Sequence, residues 1–342
     1  MSNAKDKSTT RNTNVIGIDL GATNIRGAIV SNGSLSDIIS VRIHSDGVVE
    51  DVLNDIYHVI DQILASAPTA NTPGGPARPT RTPGAPVPPT RPPGAETPAP
   101  SAIGIGVPSV VDVEEGIVYD VQYIPSWKEV PLKKILETRY NKPVFVNNDA
   151  NCFALGEYYF GKGKSAEKGK NAGEGNNAGE GKNIGSMVGL TIGTGLGGGI
   201  IIHDKLFEGY NCGAGEFGCL PYKDNILEYY CSGSFFKNVY NLDGVEVYEA
   251  ATKGDAQALQ LYGELGTHVG NAIKAVLYTY DPQLIVLGGS VSQAYELFRE
   301  TMWATVKTLA YGKTAERIRI ETSDLKNSGI LGAAALYYNA QQ

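Results

Sequence analysis

Apolar residues in this chain come in short runs that stop at glycine. Val15–Leu20 is the first run, 25–30 the second and 35–43 a weaker third, and the glycine-marked turns between them predict an antiparallel meander. Between 48 and 64 the apolar positions shift to helical spacing, at Val49, Val52, Ile56, Val59, Ile60 and Ile63, which predicts a helix packed on that sheet. A strand at 103–107, a helix at 132–140, a strand at 144–146 and a helix at 151–160 close one α/β unit. The alternation restarts with a strand at 187–192, a glycine turn and a strand at 200–203. Helical stretches follow, then a long helix from about 255 to 280, a strand at 284–287, a helix at 294–309, a strand at 317–321 and a last helix at 328–339. This order predicts two α/β domains with a cleft between them.

Two stretches interrupt the pattern. Residues 68–100 hold 12 of the chain's 18 prolines and repeat with a period of ten, PTRTPGAPVP followed by PTRPPGAETP. Such a segment has little apolar area to bury and is expected to be an extended, mobile loop. Residues 162–183 carry NAGEG twice within a run of Gly, Lys, Glu and Asn, which reads as a second flexible insertion. Long surface loops add little to the free energy of folding, so both are expected to be passive expansions rather than partner docking sites.

Composition narrows the chemistry. The 342 residues, 42% of them hydrophobic, suffice for one large or two medium domains. No apolar run approaches the roughly 18 residues of a membrane helix, and the polar start lacks the hydrophobic core of a signal peptide. A cytoplasmic protein is expected. Cys152, Cys212, Cys219 and Cys231 show no CxxC spacing, so they read as incidental thiols. A net charge of -7 disfavours binding to nucleic acid or to an anionic membrane, because both need a basic face.

Glycine accounts for 42 residues, about 12% against a usual ~7%, and clusters where strands end. GIDLGATNIRGAIV places Asp19, Gly21, Thr23 and Asn24 in a tight turn, and GLTIGTGLGGGIII does the same with Thr194, Gly195, Gly197 and Gly198. Without Cβ atoms, backbone N–H groups can approach an anion closely, while the two threonines offer hydroxyl donors. Two such turns can grip one polyphosphate from two sides; each alone could be a hairpin with permissive glycines. A third turn, at Gly288 and Gly289, also follows a strand and offers a flat surface to adenine. Neither the P-loop nor the GxGxxG fingerprint is present.

A further stretch, VFVNNDAN, drives a strand into Asn147, Asn148, Asp149 and Asn151. It reads either as a helix N-cap or as a carboxylate held rigidly at a cleft, and one residue can cap while another reacts.

Asp-x-Gly-x-Thr after the first strand, the Gly-Thr-Gly-x-Gly-Gly-Gly turn and the late Leu-Gly-Gly resemble the phosphate and adenosine motifs of the sugar-kinase and actin superfamily. Within it, NNDAN, GTGLGGGIII and GAGEFG are similar to the ROK family (repressor, open reading frame, kinase) from about Val15 to the C-terminus, apart from the two insertions. The resemblance implies a two-domain actin-like ATPase fold related to ribonuclease H, with mixed sheets, helices on both faces and an interdomain cleft. The expected division is a disordered start at 1–14, a smaller α/β domain at 15–147 completed by a C-terminal helix at 328–342, and a larger α/β domain at 148–327.

The resemblance also implies roles. Asp149 matches the family's general base, and Asn148, Glu216 and Glu228 match sugar-binding positions. Asp19, Gly21, Thr23, Asn24, Thr194, Gly195, Gly197, Gly198, Gly288 and Gly289 match the ATP-binding turns. Magnesium is expected with ATP, held by Asp19 through water, although Asp19 could instead only cap its turn. Two departures stand out. Cys219 occupies a position that is histidine in many members, and LPYKDNI replaces their zinc-binding cysteine cluster, so zinc is not expected and Leu220, Tyr222 and Tyr229 are expected to hold that loop by packing. Tyr123 in QYIPSW replaces a sugar-facing asparagine. His44, His58, His203 and His268 are scattered and receive no role.

The implied activity is ATP-dependent phosphorylation of a hexose hydroxyl, with glucose to glucose 6-phosphate favoured. Fructokinase, N-acetylmannosamine kinase and a catalytically weak sugar sensor of the same family remain as alternatives. A repressor needs a DNA-binding domain ahead of this fold, and only 14 residues precede the first strand. A homodimer is expected by analogy.

Overall fold

The computed structural model of the chain describes residues 13–66, 98–165 and 184–342. The disorder expected at 1–14 and in the two insertions falls almost wholly outside these residues. At its near end the second insertion begins with an ordered turn of helix, Lys162–Ser165.

The first half opens with β1 (Val15–Leu20), β2 (Asn24–Ser31), β3 (Ser34–Leu35) and β4 (Ile39–Arg42), followed by helix α1 (Val49–Ser66) and β5 (Ala102–Val107). A small ribbon comes next, β6 (Val111–Asp112), β7 (Ile117–Tyr119) and β8 (Glu129–Val130), then α2 (Leu132–Tyr140), β9 (Val144–Asn148) and α3 (Asp149–Phe160). The sheet runs β3-β2-β1-β5-β9, with β4 also on β2. The expected third strand therefore splits in two, β3 and β4 each pairing with β2. The β6–β8 ribbon was not expected, because strands of two or three residues carry no readable period; it closes over fully buried Trp127.

The second half repeats the plan. It contains β10 (Ser186–Ile192), β11 (Leu196–Ile202), β12 (Lys205–Leu206), the two-stranded ribbon β13 (Pro221–Tyr222) and β14 (Asn225–Ile226), and short helices α4 (Leu227–Cys231), α5 (Phe235–Tyr240) and α6 (Gly244–Thr252). Then come the long α7 (Ala256–Tyr280), β15 (Leu284–Gly288), α8 (Tyr295–Val306), α9 (Gly312–Arg317), β16 (Arg319–Thr322) and α10 (Ser328–Ala340). The sheet order is β12-β11-β10-β15-β16. In both sheets an antiparallel hairpin comes first and two parallel strands are added beside its first strand. The predicted helix at 294–309 is shorter, and α9 occupies the residues just before β16, whose start moves from 317 to Arg319.

Helices α3 and α10 form the layer between the sheets, with Cys152, Phe153, Leu155, Ile330, Leu331 and Leu336 in one buried cluster that also takes Val15, Met187 and Leu284 from the strands. Glycine makes this contact unusually close. A Cβ at Gly104 of β5 would lie 1.8 Å from the Ala333 carbonyl oxygen, and one at Gly332 of α10 would lie 1.7 Å from the Cys152 carbonyl oxygen. Helix α10 thus presses backbone to backbone on sheet and helix alike.

Gly332→Ala must force α3 and α10 apart, and the expected loss is about 2 kcal/mol or more, read as a lower urea midpoint. Gly312→Ala is the control: its Cβ meets nothing within 4 Å, and a change under about 0.5 kcal/mol is expected. An unchanged midpoint for Gly332→Ala would mean the two helices separate freely.

Candidate active site

The NNDAN stretch is where the first sheet hands over to α3, and each of its polar residues has a separate task. Buried Asn147 accepts from the Asn148 N–H at 2.8 Å and from Asn151 Nδ2 at 2.9 Å, and its own Nδ2 donates to Glu208 Oε1 at 2.6 Å. Two asparagines and a glutamate thereby tie β9 and α3 to the loop after β12. Asn148 is the N-cap: its Oδ1 accepts from the Ala150 N–H at 2.8 Å and the Asn151 N–H at 3.4 Å, and its Nδ2 donates to the Ser109 carbonyl at 3.2 Å. This cap starts the helix at Asp149, two residues earlier than expected. It also engages the side-chain Oδ1 of Asn148, a residue expected at the sugar site. Asp149 alone keeps its carboxylate largely free, accepting from the Ala150 N–H at 2.9 Å.

Strand register then gathers acids around it. Asp19 on β1 lies opposite Arg26 on one side and Gly106 on the other, and Gly106 in turn lies opposite Asn147. A Cβ at Gly106 would come 3.7 Å from the Asp149 Cα, while one at Gly197 of β11 would come 2.9 Å from the Ala150 Cβ. The first residues of α3 therefore sit between the two sheets. Asp149 is reachable by solvent but crowded by protein on most sides; that desolvation, then the charge of Asp19 and more weakly that of Glu216, pushes its carboxyl up to about 6. The Ala150 N–H opposes the shift.

Asp19 is held from two directions. Arg26 donates to its Oδ2 at 2.5 Å, and Gly329 in the first turn of α10 lets the carboxylate approach so closely that a Cβ there would lie 2.8 Å from it. A helix N-terminus favours such a charge. Arg26 was missed in the sequence; the signal was its place seven residues after Asp19 across a tight hairpin.

The glycine turns divide into exposed backbone and packing devices. In the first, the Gly21 N–H donates to the Asn24 carbonyl at 3.0 Å, and Thr23 and Asn24 are exposed. In the second, the Gly193 N–H donates to the Gly195 carbonyl at 3.0 Å and Thr194 is exposed. Gly197 and Gly198 are not in the turn but inside β11, where they make room for α3 and for the GAGEFG loop: a Cβ at Gly198 would lie 2.5 Å from the Phe217 ring. Thr191 pairs with both Gly197 and Gly288, which brings the third turn beside the second. Gly288 is packed on Phe153, and Gly289 needs its positive φ of 83° with its Cβ position against the Ile192 carbonyl.

Glu228 leans over the second turn, its Oε2 accepting from the Leu196 N–H at 2.9 Å and touching the space a Gly195 Cβ would fill. Glu216 is close enough that partial burial first, and the Glu228 charge second, raise its carboxyl. Asp149, Asp19, Glu216 and Glu228 thus form one linked acidic group. Among the described residues no group of three or more His, Cys, Asp or Glu side chains is arranged to hold a metal. Tyr123 is exposed. In the replacement loop Tyr222 and Tyr229 pack against the core as expected, whereas Leu220 is exposed; Tyr229 also donates to the Asn238 carbonyl, and Tyr222 bonds His268, a residue that had received no role.

No helix among the described residues is long and apolar enough to cross a membrane. Known proteins fit this geometry. A glucokinase of Thermotoga maritima is 26% identical, over 94% of this chain and 96% of its own length. A xylose repressor of Caldicellulosiruptor bescii is 25% identical, over 94% of this chain and 77% of its own length. The crystal structure of a ROK family glucokinase from Streptomyces griseus in complex with glucose and AMPPNP superposes with a TM-score of 0.68 at 24% identity, covering 94% of this chain and 98% of that one. The fold is therefore the actin-like ATPase fold. The ROK family model matches residues 95–169 and 171–340, and the chain belongs to the ROK family.

Proposed function

We propose that this protein is an ATP-dependent hexose kinase that converts glucose to glucose 6-phosphate with Asp149 as general base. The observation that carries the reading is the position of Asp149: a nearly free carboxylate at the first residue of α3, between the two sheets and near the charges of Asp19 and Glu216. Its pKa of about 6 suits a base at neutral pH, ionised yet still able to take a proton.

In the proposed reaction the sugar hydroxyl oxygen bonds to the γ-phosphorus as the bond to the β–γ bridging oxygen breaks. The hydroxyl proton passes to Asp149 and ADP leaves. Glu216 accepts from further sugar hydroxyls, and its partial burial sharpens the preference for a matching epimer. Exposed Thr23, Asn24 and Thr194, with the N–H group of Gly195, face phosphate oxygens, and exposed Gly289 lies along adenine. Glu228 braces the second turn and borders the sugar. Magnesium would neutralise charge building on the β- and γ-phosphates. Asp19 would be the residue that holds it, and Arg26 would then be released from its ion pair.

Asp149→Asn is expected to cut kcat by about a thousandfold while hexose KM moves by less than about threefold; a coupled ADP-release assay that found near-normal turnover would defeat the assignment. The base works ionised, so kcat/KM should fall tenfold per pH unit below about 6, and only a wild-type profile with that break is consistent with the role. Stability should respond in the opposite sense. A carboxyl raised on folding penalises the native state when ionised, fully above pH 6 and less as pH falls towards the ordinary 3.8. Asp149→Asn should therefore raise Tm at pH 8 and bring little gain near pH 4. Glu216→Gln should raise hexose KM by about tenfold or more with ATP KM unchanged, and equal KM values would remove Glu216 from the sugar site.

A further inference from the structure

The segment between Glu216 and Glu228 is a ribbon with a polar foot set in an aromatic box. β13 and β14 pair through Pro221 with Ile226 and Tyr222 with Asn225, and the Leu227 N–H closes the base on the Leu220 carbonyl at 2.9 Å. From this base Glu216 leads in through a single turn, and Glu228 leads out as the second residue of α4. Whatever holds the ribbon therefore sets the spacing of these two carboxylates.

Its anchor is on α7. His268 is 5% exposed and is enclosed by Tyr222, Tyr230 and Phe235, whose ring centroids lie 5.6, 5.1 and 5.6 Å from its own. Inside this box the hydrogen bonds have one consistent direction. Asn271 Nδ2 donates to the Thr267 carbonyl at 3.0 Å and to Tyr222 Oη at 3.1 Å, so the tyrosine oxygen is an acceptor there. Its single hydrogen is then left for His268 Nδ1, 3.0 Å away. A neutral ring accepting at Nδ1 carries its proton on Nε2, and Nε2 faces Glu264 Oε1 at 3.5 Å. Glu264 is in turn bonded by Tyr240. Tyr230 donates to Asp224 in the ribbon's turn, and Lys223 lies 4.5 Å over the Tyr230 ring. Cys219 is exposed, and among the described residues no group of three or more Cys, His, Asp or Glu forms a metal donor set here.

We propose that the relay Asn271–Tyr222–His268 is a positioning clasp that fixes the ribbon on α7 and so holds Glu216 and Glu228 at their working separation for sugar. A purely apolar contact would resist pulling away but not sliding; a directed hydrogen bond inside a ring of aromatic edges also resists rotation. None of the three clasp residues touches the glycine turns or Asp149. Their effect is expected on sugar recognition rather than on the chemical step.

The inference rests on Glu216 and Glu228 serving sugar, and the test separates the two ideas. Tyr222→Phe keeps the ring and removes only the hydroxyl; Asn271→Ala removes the donor from the half-buried side of α7. In the full-length protein both variants should raise hexose KM by roughly tenfold and leave kcat and ATP KM within about twofold. His268→Gln, which can still accept from Tyr222, should be milder than His268→Leu. Amide hydrogen exchange gives a reading independent of turnover: the Leu227 amide should exchange about tenfold faster in Tyr222→Phe while amides of β10 stay unchanged. Unchanged exchange at Leu227 would overturn the clasp. Faster exchange with unchanged hexose KM would overturn its link to recognition. A wild type that phosphorylates no hexose would count against the proposed function alone, with exchange still deciding the clasp.

Discussion

The close backbone contact between α3 and α10 is the constraint from which the site follows. Cys152 and Gly332 approach nearer than any Cβ would allow, and Gly104 brings the β5 backbone equally close to Ala333. Each helix leaves one sheet and packs between both, so their N-termini arrive at the carboxyl ends of the strands. Asp149 is the first residue of α3. Gly329, in the first turn of α10, touches the Asp19 carboxylate. The contact that joins the two halves therefore also brings the two acids near one another. A side chain inserted there would disturb both the core and the charges.

Electrostatics then gives the acids different properties. Asp19 has a guanidinium and a helix N-terminus beside it, whereas Asp149 has desolvation and the neighbouring charges of Asp19 and Glu216. The two carboxylates thus sit in different surroundings, one ion-paired and one desolvated, and desolvation pushes the Asp149 carboxyl up. Glu216 and Glu228 extend the acidic surface, and the Glu228 link to the Leu196 N–H couples the ribbon to the second turn.

Much of this was legible in advance. The order of strands and helices, the glycine ends of strands and the Asp149 junction follow from local patterns, because period, turn chemistry and strand termination are properties of neighbouring residues. The ends of β9 and α3 were misplaced because the deciding bond, Asn148 Oδ1 to two N–H groups, draws in a residue that also completes a strand. Ribbons such as β6–β8 and β13–β14 escaped notice because they are too short to show a period.

The sequence by itself determined the long strands and helices and their order, the family resemblance and which carboxylates are candidates. Only the tertiary structure decided how they divide the labour. Asn147 and Asn151 became a buried tie to Glu208, Asn148 a cap, Gly197, Gly198 and Gly288 spacers for neighbouring elements, and His268 the foot of a ribbon 46 residues earlier in the chain. The reason is physical: a hydrogen-bond partner or a steric limit far along the chain leaves no periodic trace, since it depends on one distance in space rather than on spacing in the chain.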